Sequence, residues 1–278
     1  MTLFKEIEDK FLAHLHTKKT KDIYTNLISD VLRYTEKSDL MLVNQEELDG
    51  YLEHLKDLYF ASKLSANTLI VRIKMMRGIF SFIRKLGFSC SLTAYYPQSI
   101  MWTKRDIPEL DAVLDYFSKL PSGDVLETVS FLVLYCGLSV SEICNLKVKD
   151  VILSGIVPGL HIVFGGVVRI INVPQFLYDK LCELCAGRKG SEYLFLTSRK
   201  LPFSAKYLQR KRAEYTSFSL QDLRSFAFVQ MFASGMSPET FKRYTGVIKN
   251  YDVYLRESEC AVSFFSYSHV YLLNMETA

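Results

Sequence analysis

Apolar residues recur at helical spacing through the first third of the chain, in Leu3-Ile7-Phe11-Leu15, Ile23-Leu27-Val31, Leu48-Leu52-Leu55 and Ile73-Met76-Phe80-Ile83. That period, with polar residues between, predicts four amphipathic helices over 3–88, a small helical bundle. The stretch "TAYYPQSIMWTKRD" (93–106) then breaks the period and carries a proline, the composition of a linker. The boundaries placed on this pattern are a helical domain at 1–95, a linker at 96–106 and a second domain at 107–278.

The second domain opens with two helical patterns, "IPELDAVLDYFSKL" and "GDVLETVSFLVLYCG", and a short one, "SEICNL", that Ser141 can cap. Three β-rich runs follow, "VKDVILS", "LHIVF" and "VVRIINV", separated by Gly and Pro, and they predict a small antiparallel sheet. Helical patterns resume to the end. Ser237, Pro238 and Gly246 read as the cap, first turn and terminator of one of these helices. The expected fold class is mostly α with a small antiparallel sheet.

Composition narrows the function classes only modestly. Hydrophobic residues at 49% and charged residues at 23% describe a globular chain rather than a disordered one. The start, "MTLFKEIEDKF", lacks the basic, then apolar pattern of a secretion signal, and no run reaches the roughly 18 uncharged residues of a membrane span. The six cysteines sit in or beside apolar segments, so reduced thiols and a cytoplasmic location are expected, with no membrane partner. Cys182 and Cys185 have half a zinc site's spacing, but no second pair accompanies them and the histidines form no ligand pattern. No metal and no cofactor are expected.

A net charge of +4 is small, so distribution matters more than the sum. On a helical wheel, Lys74, Arg77, Arg84 and Lys85 share one arc of the fourth helix, opposite its apolar stripe. A second cluster, "SRKLPFSAKYLQRKRAEY", places Arg199, Lys200, Lys206, Arg210, Lys211 and Arg212 on one loop and helix of the other domain. Either alone is an ordinary solvated surface. Two such faces joined by a linker can close on a duplex, each neutralised phosphate releasing counterions.

Several segments, taken in order, resemble the tyrosine recombinase (phage integrase) family. "YCGLSVSEICNLKVKDV" is similar to that family's T-G-L-R-x-S-E-L segment, "FGGVVRIINVP" to its G-K-G-x-K-x-R-x-V-P hairpin, and "LQDLRSFAF" to H-x-L-R-H-x-F-A. "ASGMSPETFKRYTGV" resembles the stretch ending L-G-H, and "YDVY" the segment that ends in the nucleophile. The likeness extends to the N-terminal bundle, which resembles the family's core-binding (SAM-like) domain. The resemblance implies a two-domain protein that binds duplex DNA and, in the family, cuts and rejoins it. A tyrosine attacks a phosphate, two arginines and a histidine hold the phosphoryl oxygens, a lysine protonates the leaving oxygen and a second histidine assists. Fixed cations and donors suit such a charged transition state.

Carried onto this chain, the first arginine position is Ser139, the lysine position Gly166, the first histidine Gln221, the second arginine Arg224 and the next histidine Val247. Of these five only Arg224 keeps the family's residue type. Tyr254 falls at the nucleophile position, with Tyr251 as a rival because the gap from Val247 is short. Arg169, three residues after Gly166, is the candidate substitute cation, and Gln221 can still donate a hydrogen bond. Arg224 has a second reading, a structural arginine paired with Asp222 or Glu142.

The resulting expectation is a family member with a degenerate active site, catalytically inactive or strongly impaired, that serves as an accessory, regulatory or architectural DNA-binding factor. Two alternatives stay open: an active recombinase using Tyr254 with Arg224 and Arg169, and a protein-interaction module that no longer binds DNA. The apolar tail "ECAVSFFSYSHVYLL" either completes its own domain's core or docks on a second copy or a partner recombinase.

Overall fold

Three of the four helices of the N-terminal segment begin where a short polar side chain takes over a free backbone N–H. In the computed structural model, which describes residues 4–15, 17–96, 107–153 and 158–271, the helices are α1 (Lys5–Ala13), α2 (Lys18–Thr35), α3 (Gln45–Phe60) and α4 (Ala66–Lys85). Thr17, Asn44 and Ser65 cap α2, α3 and α4, and Asn44 forms a reciprocal box with Glu47. Their apolar stripes meet in one core that includes Ile7, Phe11, Val31, Leu48, Leu55, Ile73 and Phe80. Asp39, 4% exposed, accepts backbone N–H bonds from Phe4 (2.8 Å), Lys5 (2.9 Å) and Met41 (2.9 Å), tying the start of α1 to the α2–α3 connection.

The chain divides into two compact units, Met1–Lys104 and Arg105–Ala278. Residues 97–106, nearly all of the expected linker, lie outside the described residues.

The second unit contains α5 (Leu110–Lys119), α6 (Val125–Cys136), α7 (Val140–Asn145), β1 (Val151–Ile152), β2 (Gly159–Phe164) and β3 (Val167–Asn172). It continues with α8 (Gln175–Cys185), α9 (Ala205–Arg212), α10 (Leu220–Ala233), α11 (Pro238–Thr245), α12 (Asp252–Ser258) and α13 (Ser268–Tyr271). Helices α6 and α10 are the central pair, buried on most sides, as the nearly unbroken apolar runs "VLETVSFLVLYC" and "SFAFVQMF" require. The sheet is antiparallel in the order β1-β2-β3, with Phe164 opposite Val167. The two-residue turn between them has φ +59° at Gly165 and +80° at Gly166, a conformation that glycine adopts without strain.

Two expectations need correction. Ser139, not Ser141, caps α7: its Oγ accepts the Glu142 N–H (3.2 Å) while Glu142 Oε2 accepts the Ser139 N–H (2.7 Å). Among its described residues the run "VKDVILS" is a strand only at Val151–Ile152, because the Asp150 carboxylate accepts the Lys147 N–H at 2.8 Å and folds Val148–Asp150 into a 3₁₀ turn.

The apolar tail completes its own unit's core as far as it is described. Tyr267 and Val270 are 1% and 2% exposed, and Gln230 pins the segment by accepting the Phe264 N–H at 3.0 Å. His269 sits in a buried polar network. Its Nε2 lies 3.0 Å from Tyr244 Oη and 3.2 Å from the Tyr135 carbonyl, Tyr244 Oη donates to the Asn172 carbonyl (2.8 Å), and Asn172 Nδ2 donates to the His269 carbonyl (2.9 Å). A neutral Nε2–H tautomer serves this arrangement. Burial pushes the His269 pKa down to about 4, against a smaller upward pull from the Tyr135 carbonyl. The unfolded chain therefore takes up this proton near the ordinary value while the folded chain resists it. Stability held above about pH 6.5 is lost as pH falls toward 4, by about 3 kcal/mol. Comparing urea unfolding of the protein and of His269→Gln between pH 7.5 and 4.5 isolates this contribution, and a pH-independent difference would rule it out.

Candidate functional site

The segments that carry the family-like motifs meet around one buried carboxylate. Glu142, 6% exposed, is placed by the α7 capping box, which turns its Oε2 back to the Ser139 N–H. Its Oε1 accepts Arg169 Nη2 at 2.7 Å, an ion pair with side chains 7% and 6% exposed. Arg224 Nη2 lies 3.8 Å from Glu142 Oε2, at the edge of ion-pair range. One carboxylate thus stands between two arginines, one from β3 and one from α10.

Both guanidinium groups have further anchors. Arg169 Nε donates to the Tyr244 carbonyl at 3.0 Å, at the end of α11. The residue that ends α11, Gly246, has φ +72°, and a Cβ there would lie 2.9 Å from Arg169 Nη1. Glycine at that position thus both permits the left-handed turn and leaves room for the guanidinium. Arg224 Nε donates to the Gly137 carbonyl at 2.7 Å, and its guanidinium carbon sits 4.8 Å from the centre of the Phe228 ring. Phe228 also packs edge-to-face with Tyr254, ring centres 5.1 Å apart. Tyr254 is half-buried, one ring away from Arg224.

The other sequence-derived positions divide clearly. Ser139 is committed to capping, and Gln221 is half-buried in the first turn of α10. Val247 packs on the core, with its N–H donating to Thr245 Oγ1 at 3.2 Å. Gly166 stands at the hairpin tip, where a Cβ would meet nothing within 4 Å. Tyr251 adjoins the first turn of α12, with Lys242 Nζ 4.7 Å from its ring centre, and packs toward Phe232 and Phe241. Asp222 bonds to Ser219 in the reciprocal cap of α10.

Both basic clusters contain exposed cations. In the first unit Lys74, Arg77, Arg84 and Lys85 are exposed; Arg77 lies 5.2 Å from the Tyr96 ring centre, and Arg84 Nη1 also donates to the Cys90 (3.2 Å) and Leu92 (3.1 Å) carbonyls. In the second, Arg199, Lys200, Lys206 and Arg210 are exposed and Lys211 is half-buried. A cleft of about 570 Å³ runs along α9, lined by Lys206, Tyr207, Arg210 and Arg212. Arg212 corrects the expectation of a surface cation. It is 6% exposed, with Nη1 donating to the Thr216 carbonyl at 2.8 Å, because the helix turns its last residue inward to close the chain after α9. Among the described residues no group of three His, Cys, Asp or Glu is arranged to hold a metal, and no helix is long and apolar enough to cross a membrane.

No family model matches the chain. Two curated relatives do. "Tyrosine recombinase XerA" of Pyrococcus furiosus is 26% identical over 217 residues, covering 72% of this chain and 68% of the relative. A "Tyrosine recombinase" of Pseudothermotoga lettingae is 24% identical over 201 residues, covering 67% and 68%. Among solved structures, the Tn1549 transposon integrase in complex with circular intermediate DNA has the same fold, with a TM-score of 0.70, 15% identity and coverage of 100% of both chains. Lambda integrase, solved as a dimer bound to a COC' core site, gives a TM-score of 0.70 at 16% identity over 95% of this chain and 97% of the solved one. Motif order, fold and matched relatives agree: the chain is similar in sequence to tyrosine recombinases and has the fold of the solved integrases.

Proposed function

We propose that this protein binds duplex DNA through basic surfaces on both of its units and has lost, or nearly lost, strand cleavage, acting as an accessory, regulatory or architectural factor in the cytoplasm. The observation that carries the proposal is how the site's charges are used. Where the family resemblance expects a free arginine, Ser139 caps a helix, and Arg169, the candidate replacement, is closed into a buried pair with Glu142. Arg224 remains as the one cation of family type, and it points its Nε at a carbonyl. A phosphate here would meet far less positive charge than phosphoryl transfer in the family uses.

The solved integrases of this fold are complexes with DNA, which supports a polyanionic partner for this chain as well. Lambda integrase has been solved as a dimer and as a tetramer on DNA, and we extend self-association on DNA to this protein. One observation favours the active alternative: Tyr254 is only half-buried and lies one aromatic ring from Arg224. The nucleophile position is therefore compatible with chemistry even though Ser139, Gly166 and Val247 stand where the family resemblance expects cations or donors.

Binding to a random-sequence duplex, measured by fluorescence anisotropy across a salt series, tests the DNA reading. The logarithm of affinity is expected to fall linearly with the logarithm of salt concentration, with a slope of about −0.9 per phosphate contacted. Arg77→Gln and Lys206→Gln are each expected to flatten that slope by about one unit. A weak response that ignores salt would favour the protein-interaction module instead.

A further inference from the structure

The N-terminal unit carries a cavity that neither the core nor the basic face accounts for. It has a volume of about 480 Å³ and lies among α2, α3 and α4. Tyr34 and His54 stack with ring centres 5.1 Å apart and planes 24° from parallel, both exposed to solvent. Tyr34 is also held edge-on by Tyr51 and by a 3.0 Å hydrogen bond from its hydroxyl to the Gly50 carbonyl. An exposed tyrosine fixed at both ring and hydroxyl has lost its rotamer freedom in advance.

The charged wall is also built in place. Asp30 accepts Arg33 Nη2 at 2.7 Å and forms an ion pair with Arg72 Nη1 at 3.1 Å, and Arg72 Nη1 donates to the Tyr51 hydroxyl at 3.2 Å. Two arginines against one carboxylate leave one net positive charge beside a flat aromatic platform, with buried Leu55 beneath. Turning α4 by 100° per residue puts Lys74, Arg77, Arg84 and Lys85 about 120° to 220° away from Arg72. The cavity is thus on a different side of that helix from the basic stripe.

From this juxtaposition we infer a binding site for a planar anion of about nucleotide size, its ring stacked on Tyr34 and His54 and its negative group held by Arg33 and Arg72. Stacking and charge-assisted hydrogen bonding each contribute, and the volume is within the range of small-molecule pockets. The site is separate from the proposed DNA contacts, so occupancy does not require duplex.

Titration of the whole 278-residue chain by saturation-transfer NMR, with adenosine 5'-monophosphate as probe, tests the inference. Adenosine and inorganic phosphate serve as half-ligands. Saturable binding of the nucleotide is expected, with each half-ligand about tenfold weaker or more. Arg33→Gln and His54→Ala alter exposed side chains and are expected to weaken nucleotide binding about tenfold while leaving duplex affinity and thermal unfolding unchanged. Inorganic phosphate binding as tightly as the nucleotide would overturn the inference. So would loss of nucleotide binding in Arg77→Gln as severe as in Arg33→Gln, or the absence of saturation at millimolar probe.

Discussion

Incubated with a nicked suicide duplex, the purified protein is expected to form no phosphotyrosyl adduct under conditions in which it binds that duplex. A single preorganised donor is worth roughly 10² to 10³ in rate, and four positions read as donors from the family resemblance hold Ser139, Gly166, Gln221 and Val247 here. Such losses do not simply multiply, yet two of them at the lower figure already amount to about 10⁴. Arg169, the candidate replacement, is already engaged, with Nη2 on Glu142 and Nε on the Tyr244 carbonyl. For the same reason Ser139→Arg is not expected to restore cleavage: the carboxylate next to it is already paired, and the α7 cap would be lost. An adduct that persists in Tyr251→Phe and vanishes in Tyr254→Phe would establish an active enzyme and end the proposal.

The helical period made the bundle and the central helices legible, because each buried stripe is continuous within one helix. The hairpin was legible too, through Gly165-Gly166 between two β-branched runs. Long-range polar pairings were less accessible. Ser139 and Ser141 are equally good caps by residue type, and only the reach of Glu142 back to the Ser139 N–H separates them. Arg212 looks like its exposed neighbours in "QRKR", and its burial depends on where the chain turns after α9. Glu142 was recognisable as one possible partner of Arg224. That its main partner is Arg169, 27 residues away, followed only from the sheet register that puts the Arg169 side chain within reach of α7. His269 gave no local signal at all, since its partners Tyr135, Asn172 and Tyr244 come from three distant segments.

Arg169→Met should be the most damaging conservative change in the second unit. Removing one member of a buried ion pair costs about 3–5 kcal/mol, mainly because the remaining charge has neither water nor partner. Here the stranded group is Glu142, and its Oε2 is held by the Ser139 N–H, so it cannot turn freely toward solvent. Arg224 offers partial relief, with Nη2 only 3.8 Å away, which places the expected loss toward the lower end of that range. For a unit of this size the change corresponds to a fall in melting temperature of roughly 10 °C. The double variant Arg169→Met/Glu142→Leu removes the stranded charge and should be more stable than Arg169→Met alone, although it also gives up the reciprocal α7 cap, worth about 1 kcal/mol. Urea denaturation followed by circular dichroism measures all three proteins. A loss below about 1 kcal/mol in Arg169→Met would mean that water or Arg224 already neutralises Glu142, leaving Arg169 available for an incoming phosphate.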